Sequence, residues 1–256
     1  MSNPIHLRLA QRSDIPSIAR IANAANAQSA LHRRIALHQD EYPTDYYHWR
    51  LQTIRLRFAT PNLRNVVAED SQTGEILGVA SWMVEGRDTA LHQRWSGESS
   101  WIDWVEDKLI RSEQAYFRYV MDRSVDYKFL DRFLAIMQGS DRAARPACLH
   151  PHLIVVDPDA QGRGVGKKLI DWGKELAMRE ELPIYLESNL EATRFYEKAG
   201  FVKLGDELVI RADGSEPFHL PAYVWEGKER EGRWLERELA EGGKGGWKWR
   251  ADILKS

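Results

Sequence analysis

Two histidines close together in the chain are the side chains best placed for acid–base chemistry. His150 and His152 stand two residues apart in an apolar run that ends at Val156, a pattern that indicates a β-strand. Residues two apart on a strand point to the same face, so both imidazoles should lie on one side. Because the reference pKa of histidine is near 6.5, a neutral imidazole can accept a proton at neutral pH. Pro151 between them predicts an interrupted ladder, at an edge or a bulge.

Other residues compete for the same role. Glu187 ends the next predicted strand and is a rival base. Cys148 begins the histidine strand, but a lone cysteine on a strand is more often a packing residue than a nucleophile. Structural, partly buried histidines are the alternative interpretation of the His150 and His152 pair. The sequence alone leaves these alternatives open.

A glycine-rich turn follows the histidine strand and opens a helix. Its glycines are Gly162, Gly164 and Gly166. Backbone N–H groups of such a turn, together with the partial positive charge of the helix start, stabilise a phosphate, and glycines allow its close approach. A Walker loop would need glycine at Gln161, and a dinucleotide fingerprint would need glycine or alanine at Lys167. The turn therefore predicts a phosphate-containing ligand that is bound by neither a Walker loop nor a dinucleotide fingerprint.

A second segment has the spacing N-x-x-A-x-x-x-Y-x-x-x-G-F. It is satisfied by Asn189, Ala192, Tyr196, Gly200 and Phe201. Simpler explanations exist for single residues: Ser188 and Glu191 form a possible capping box, and Tyr196 shares a helix face with apolar neighbours. The occurrence of both segments in this order favours a joint role.

The two segments together resemble the GNAT acetyltransferases, whose motif A reads Q/R-x-x-G-x-G/A and is matched by Gln161, Gly164 and Gly166. The resemblance implies that the turn binds the pyrophosphate of acetyl-CoA and that the preceding strand contacts the pantetheine arm and the carbonyl through its backbone. It also implies that Asn189 contacts the pantetheine and that Tyr196 protonates the departing thiolate. The donor-binding residues so implied are Ile154, Val155, Val156, Gln161, Gly162, Arg163, Gly164, Val165, Gly166, Lys167, Asn189, Ala192 and Tyr196.

The histidine strand resembles that of the arylalkylamine N-acetyltransferases, in which two histidines at this spacing help to remove the amine proton through water. The implied function is acetyl-CoA-dependent acetylation of the primary amine of a small molecule. The acetyl group would pass directly from donor to acceptor in a ternary complex, without a metal. The implied catalytic residues are Tyr196, His150, His152 and Glu187. Two alternatives remain: a protein or peptide N-acetyltransferase, favoured by an open acidic groove, and a non-catalytic CoA-binding module.

The acceptor pocket is only weakly indicated. An apolar or aromatic amine would fit a wall of Trp95, Trp101, Trp104, Tyr116 and Tyr119, with its charge attracted by Asp103, Glu106 or Asp107. Aromatic residues at helical spacing are, however, more often part of a core.

The elements around these residues alternate between strand and helix, which predicts the α/β (α+β) class. Predicted strands cover 5–9, 64–69, 76–84, 148–156, 183–187, 201–210 and 218–225, and predicted helices begin at Ser13, Thr44, Val165 and Glu191. The GNAT resemblance implies a mixed, mostly antiparallel central sheet with a parallel pair around the CoA cleft. We expect one domain at 1–226, with a helical insertion at about 86–146 and a C-terminal arm at 227–256.

Composition narrows the remaining function classes. A formal net charge of -2 gives no global field that would attract nucleic acid or an anionic membrane. With a single cysteine, neither an internal disulfide nor a cysteine-based zinc site can form. No apolar run has the length of a transmembrane helix, and the first ten residues lack a signal-like apolar stretch. We therefore expect a cytoplasmic protein, monomeric or homodimeric, without nucleic-acid or membrane partners.

Overall fold

A mixed nine-stranded sheet organises the protein in the computed structural model, which describes residues 4–86, 88–139, 145–211, 216–237 and 246–254. The strands are β1 (Ile5–Leu9), β2 (Leu63–Asp70), β3 (Ile76–Glu85), β4 (Cys148–Val156), β5 (Ile184–Glu187), β6 (Val202–Ile210), β7 (Phe218–Trp225), β8 (Leu235–Arg237) and β9 (Trp247–Trp249). Their order in the sheet is β1-β2-β3-β4-β5-β7-β6-β9-β8. Neighbours are antiparallel except for β4 with β5 and β6 with β9. The predicted fold class, a mostly antiparallel sheet with a parallel pair, is confirmed.

Eight α-helices are found in the described residues: α1 (Ile15–Asn26), α2 (Ala30–Ile35), α3 (Pro43–Ala59), α4 (Ala90–Gly97), α5 (Trp101–Tyr116), α6 (Tyr127–Gly139), α7 (Val165–Arg179) and α8 (Thr193–Lys198). Helix α5 continues as a π-helical segment, Phe117–Met121. Helix α2 has no counterpart in the sequence prediction because its six residues are too few to display a helical period. Helix α8 is shorter than predicted because Leu190–Ala192 forms a 3₁₀ turn before it.

The helices cover both faces of the sheet because successive strand residues point to opposite sides. On β2, Val66 belongs to the apolar cluster of α7, whereas Val67 belongs to the cluster of α1 and α3. Helix α7 approaches β3 most closely at Gly173, where an added Cβ would lie 2.1 Å from the ring of Trp82. Glycine is therefore required at this helix–sheet contact.

Strands β4 and β5 separate soon after they meet. They pair in register only at Leu149 and Ile184. Beyond Leu149, the other edge of β4 remains paired with β3 as far as Val156. In the part of the chain that the structure describes, no strand covers the edge of β4 that faces β5 over 150–156. The divergence opens a cleft beside the backbone of the predicted donor strand.

The insertion and the arm both pack on the sheet. Helix α6 contributes Phe129 to an apolar cluster with the ends of β6 and β7, next to α2. The arm adds β8 and β9 to the edge of β6, where Leu235 is buried in a separate apolar cluster and Trp249 packs against that second cluster. None of the described helices has the length and apolar character required to cross a membrane.

Candidate active site

The glycine-rich turn has the conformation that glycine favours and open space in front of it. Gly162 has φ +76° and Gly164 has φ +83°, and a Cβ at either position would meet nothing within 4 Å. Gly164 precedes the first turn of α7, whose initial N–H groups lack helical acceptors. These features fit an anion such as a pyrophosphate.

The other predicted donor residues surround this turn in different ways. Val165 is buried in the core, so only its backbone can face a ligand. Gly166 allows close packing of α8, because an added Cβ would lie 3.4 Å from the ring of Phe195. The Nη2 atom of Arg163 lies 3.2 Å from Asp70, and Lys167 pairs with Asp171 on the surface. Gln161 is exposed.

The predicted pantetheine strand, 154–156, lies on β4 along the open cleft. Ile154 and Val156 pack against the cluster of α7, and Val155 is buried on the opposite face. The backbone of all three pairs with β3 on one side. Their remaining edge faces the cleft that the divergence from β5 creates.

Asn189 points across the cleft instead of capping a helix. Its Nδ2 lies 3.5 Å from the hydroxyl oxygen of Ser29, in the connection between α1 and α2. The capping box considered for Ser188 is not formed, since the Ser188 hydroxyl donates to the carbonyl of Asn189. Ala192 precedes α8 and is half-buried. Asn189 therefore keeps an amide group available between α1 and the donor strand.

Tyr196 lies on α8 within an aromatic group. Its ring centroid is 5.6 Å from that of Phe201 and 6.0 Å from that of Tyr223. Burial raises the pKa of the Tyr196 phenol above its usual range, so the hydroxyl keeps its proton. Among the described residues the structure gives this hydroxyl no hydrogen-bond partner. Tyr196 is thus both packed, as the simpler explanation required, and able to donate a proton.

A buried network joins His150 to two carboxylates. Its Nδ1 lies 2.8 Å from Oε1 of Glu85, and its Nε2 lies 3.2 Å from Oε2 of Glu187. Burial lowers the pKa of His150, but the contacts with Glu187 and Glu85 outweigh it, so the net shift is upward. Burial works against the charged form of Glu187, yet His150 and Arg145 hold the pKa of this carboxyl well below its usual range. Glu187 and His150, which the sequence offered as alternative bases, are therefore in direct contact.

His152 lies beside this network, and its pKa is shifted in the opposite direction. The rings of His150 and His152 are 4.6 Å apart, on one side of the strand as their spacing predicts. Burial lowers the pKa of His152 to about 4, so its imidazole is neutral at neutral pH. Its Nε2 is buried, lacks a hydrogen bond among the described residues, and lies 3.7 Å from Oε1 of Glu85. Such an atom fits a water or an amine as its partner.

The strand ladder is irregular at the histidines, as Pro151 predicts. Ser81 pairs with Leu153 and Trp82 with Pro151, so His152 is the extra residue of a bulge. Glu85, the last residue of β3, was not identified from the sequence. Its partner strand β4 begins only after the insertion, and no local pattern indicates which strands pair across such a distance. Arg145 was not identified from the sequence either, because its partner Glu187 is distant in the chain. Its Nη2 lies 3.3 Å from Oε1 of Glu187.

The network also has the composition of a metal site. Glu85, His150 and His152 offer one ligand atom each within 4.8 Å of one another. Nδ1 of His150, however, already lies at hydrogen-bond distance from Glu85, and its Nε2 lies at ion-pair distance from Glu187. These contacts would compete with a bound ion.

The expected aromatic acceptor wall is not formed. Trp95 is buried in the core, whereas the other four residues are mostly exposed: Trp101, Trp104, Tyr116 and Tyr119. The acidic residues expected to attract an amine are paired with arginines, Asp103 and Glu106 with Arg12, and Asp107 with Arg111. The prediction was wrong because a helical period does not say whether the apolar face of a helix turns inward.

Comparison with known proteins identifies a family domain in part of the chain. Residues 127–203, from α6 into β6, match the model of the acetyltransferase (GNAT) domain. A stretch of 65 residues is 40% identical to a probable acyltransferase of Ajellomyces capsulatus and covers 24% of this chain and 48% of that protein. A second stretch, of 107 residues, is 28% identical to an uncharacterised N-acetyltransferase of Schizosaccharomyces pombe. It covers 40% of this chain and 46% of that protein. The matched stretches thus span about half of each relative.

A solved structure shares the fold over most of the chain. It is described as histone acetyltransferase HPA2 and related acetyltransferase from Corynebacterium glutamicum, with a TM-score of 0.51 and 21% identity, and the match covers 87% of this chain and 96% of that one. At this identity the likeness shows the fold. The family indicated by the two sequence motifs is confirmed.

Proposed function

Since the chain contains a GNAT acetyltransferase domain, we propose that it transfers the acetyl group of acetyl-CoA to the primary amine of a small molecule, directly and within a ternary complex. The observation that carries this proposal is the divergence of β4 from β5 at Leu149. The cleft it opens has the glycine-rich turn at one end and the His150 and His152 network at the other. Donor and base groups therefore flank one space.

The donor would be held mainly by backbone. The N–H groups at the turn and at the start of α7 would bind the pyrophosphate, and the free edge of β4 at 154–156 would bind the pantetheine arm. Asn189 would contact the arm from the opposite side. Acetyl-CoA supplies an acetyl group activated as a thioester, and the residues of the chain have to orient it.

The base would be His152, assisted by Glu85. Only a neutral amine has a lone pair for attack, so an ammonium must first lose a proton. The low pKa of His152 keeps its imidazole neutral at neutral pH. In the tautomer that carries its proton on Nδ1, Nε2 would accept the amine proton through a water. Glu85, 3.7 Å from Nε2, would stabilise the imidazolium that forms, and Glu187 and Arg145 would hold His150 and Glu85 in place.

The acid would be Tyr196. When the new C–N bond forms and the C–S bond breaks, the leaving thiolate needs one proton. A phenol whose pKa is raised by burial remains protonated over the working range and can donate that proton in the transition state.

The proposal is tested by thiol release from acetyl-CoA in the presence of arylalkylamines, polyamines, amino acids and peptides, with and without a chelator. We expect turnover with at least one small amine and no loss of activity after chelation. Preference for peptides would instead indicate a protein or peptide N-acetyltransferase. Binding of acetyl-CoA without turnover on any acceptor would indicate a non-catalytic module, and loss of activity on chelation would assign Glu85, His150 and His152 to a metal.

A further inference from the structure

Helix α3 carries a buried arginine without an acidic partner. Arg50 is only 4% exposed. Its Nε donates to Oδ1 of Asn23 at 2.9 Å and its Nη2 to the hydroxyl of Tyr46 at 3.0 Å, and its guanidinium stacks 4.9 Å from the ring of Trp49. All three partners are neutral. Within the described ranges, no carboxylate lies at ion-pair distance from Arg50.

Arg57, two turns further along the same face of α3, is half-buried and also has no acidic partner among the described residues. Its Nη2 donates to the backbone carbonyl of His152 at 3.5 Å, and its buried Nε has no partner in the part of the chain that the structure describes. Burial, and then the like charge of Arg50, lower the pKa of Arg57 to about 10. Arg57 therefore remains charged at neutral pH, close to a second positive charge.

Both arginines neighbour residues of the proposed site. Arg57 touches the backbone of His152, the proposed base. Arg50 acts on His32 of α2, whose pKa is lowered to about 3 by burial and by this charge, so His32 adds no charge of its own. Nδ1 of His32 lies 3.2 Å from the hydroxyl oxygen of Ser29, which is also in contact with Asn189. The two guanidiniums thus lie between the proposed base and the donor-contacting loop.

A buried and a half-buried charge of one sign, both without acidic partners among the described residues, are unfavourable for folding. Removing a guanidinium from water costs free energy that neutral hydrogen bonds recover only in part. Other half-buried arginines of the described chain do have carboxylate partners: Arg8 contacts Asp14 and Glu69, and Arg145 contacts Glu187. Arg50 and Arg57 lack such carboxylate partners, and Arg57 contacts the proposed base. This arrangement indicates that a ligand supplies the missing anion.

We propose that the acceptor is an amine that also carries an anionic group, a carboxylate or a phosphate, and that Arg50 and Arg57 bind this group while the amine lies at His152. The inference rests on the proposed function and narrows its substrate class. A guanidinium is suited to such groups because its planar N–H donors match their oxygens. The acceptor is therefore not the apolar amine expected from the aromatic residues of α5.

The experiment compares matched amines that differ only in the anionic group. The pairs are ornithine with putrescine, phenylalanine with phenethylamine, and O-phosphoethanolamine with ethanolamine. Thiol release gives kcat/KM, and the shift of the melting temperature gives binding independently of turnover. Hydrogen bonds to charged groups are worth enough to make the anionic member of at least one pair about 10- to 100-fold better. The phosphate pair and the carboxylate pairs show which anion is preferred.

Variants assign that preference to the two arginines. Arg50→Met and Arg57→Met should abolish it, Arg57→Lys should retain part of it, and Arg55→Met, an arginine of α3 that pairs with Glu113, should leave it unchanged. Arg57→Met should not lower the melting temperature of the free protein, because it removes an unpaired half-buried charge. Folding of each variant is checked by acetyl-CoA binding, which should remain native.

Three results would overturn the inference. The first is equal binding and turnover of both members of every pair, and the second is a preference that survives both methionine substitutions. The third is a loss of acetyl-CoA affinity in Arg50→Met or Arg57→Met, which would assign the arginines to the donor. Failure of the proposed function looks different: no thiol is released with any amine, while the melting-temperature assay still reports whether the anionic probes bind.

Discussion

At the scale of single residues, the candidate site contains two neighbouring histidines whose pKa values are shifted in opposite directions. His150 lies between Glu85 and Glu187 and favours its charged form, whereas His152, one residue beyond Pro151, favours its neutral form. The contacts with the two carboxylates raise the pKa of His150, and burial lowers the pKa of His152. In the proposed mechanism, this difference would allow His152 to accept a proton while His150 holds Glu85 in position.

Replacing Tyr196 by phenylalanine should lower kcat by about 10²- to 10⁴-fold and leave acetyl-CoA affinity nearly unchanged. A proton donated to the leaving thiolate stabilises only the transition state. Steady-state kinetics and acetyl-CoA titrations measure the two effects. Tyr116→Phe, at a residue 62% exposed on α5, is the control and should remain native. Full activity of the Tyr196 variant would mean that another group or solvent supplies the proton.

The histidines should act jointly in turnover. We expect His150→Gln and His152→Gln each to reduce kcat/KM at neutral pH and the double variant to lose more. The double variant should recover best at high pH, where the free amine needs no base. Exposed His38, changed to glutamine, is the control. If Glu187→Gln instead removed the pH dependence while both histidine variants stayed near native, Glu187 would be the base.

His152 should also make the protein sensitive to acid. Its folded pKa of about 4 lies below the unfolded value of 6.5, so the unfolded chain binds the extra proton as the pH falls through this window. Stability is therefore complete above 6.5 and declines toward 4. His152→Gln should reduce the total loss of unfolding free energy over this pH range by about 3 kcal/mol, measured by urea titrations at several pH values. If the unfolding free energy of His152→Gln changed with pH as it does in the native protein and in the control His38→Gln, His152 would have an ordinary pKa.

At the scale of elements, the turn before α7 can be tested by a matched pair of glycines. Gly164 and Gly74 both have positive φ, +83° and +73°, and both face open space. Leucine at either position should cost similar stability through backbone strain, of about 1–3 kcal/mol. Only Gly164→Leu should abolish the rise in melting temperature that CoA gives the native protein. No rise for the native protein at millimolar CoA would contradict the assignment of the turn.

The sequence predicted individual elements better than the contacts between them. The bounds of β4 and β7 were predicted correctly, because each is an apolar run with a clear change of composition at both ends. The motifs located the turn, Asn189 and Tyr196 for the same reason: their spacing lies within one segment. Glu85, Arg50 and Arg57 escaped notice because their importance comes from burial and from neighbours distant in sequence.

At the scale of the whole molecule, the C-terminal arm reaches the catalytic network. Trp249 of β9 packs 6.2 Å from the ring of Tyr185, whose hydroxyl donates to Oε1 of Glu187 at 2.9 Å. The arm thus supports the side of Glu187 away from His150, and the proposed division at residue 226 separates parts that are in contact.

Trp249→Ala should therefore reduce kcat and shift the pH profile, with acetyl-CoA affinity preserved. Loss of the indole loosens Tyr185 and lets water reach Glu187, which weakens its hold on His150. Kinetics over a range of pH test this, with Trp101→Ala, at a residue 75% exposed, as the control. A variant that loses stability but keeps the native pH profile would limit the arm to a packing role.

The helical insertion begins and ends at the same place. Glu85 and Cys148 are register partners on β3 and β4, and an added Cβ on Gly86 would lie 2.5 Å from Cβ of Ala147. In topological terms, β3 and β4 form a hairpin whose turn has grown to roughly 60 residues, and closing such a loop costs only about 2 kcal/mol more than closing a short one. The sheet would therefore tolerate insertions of very different length at this point, so chains with the same donor cleft can differ widely in the helices beside it.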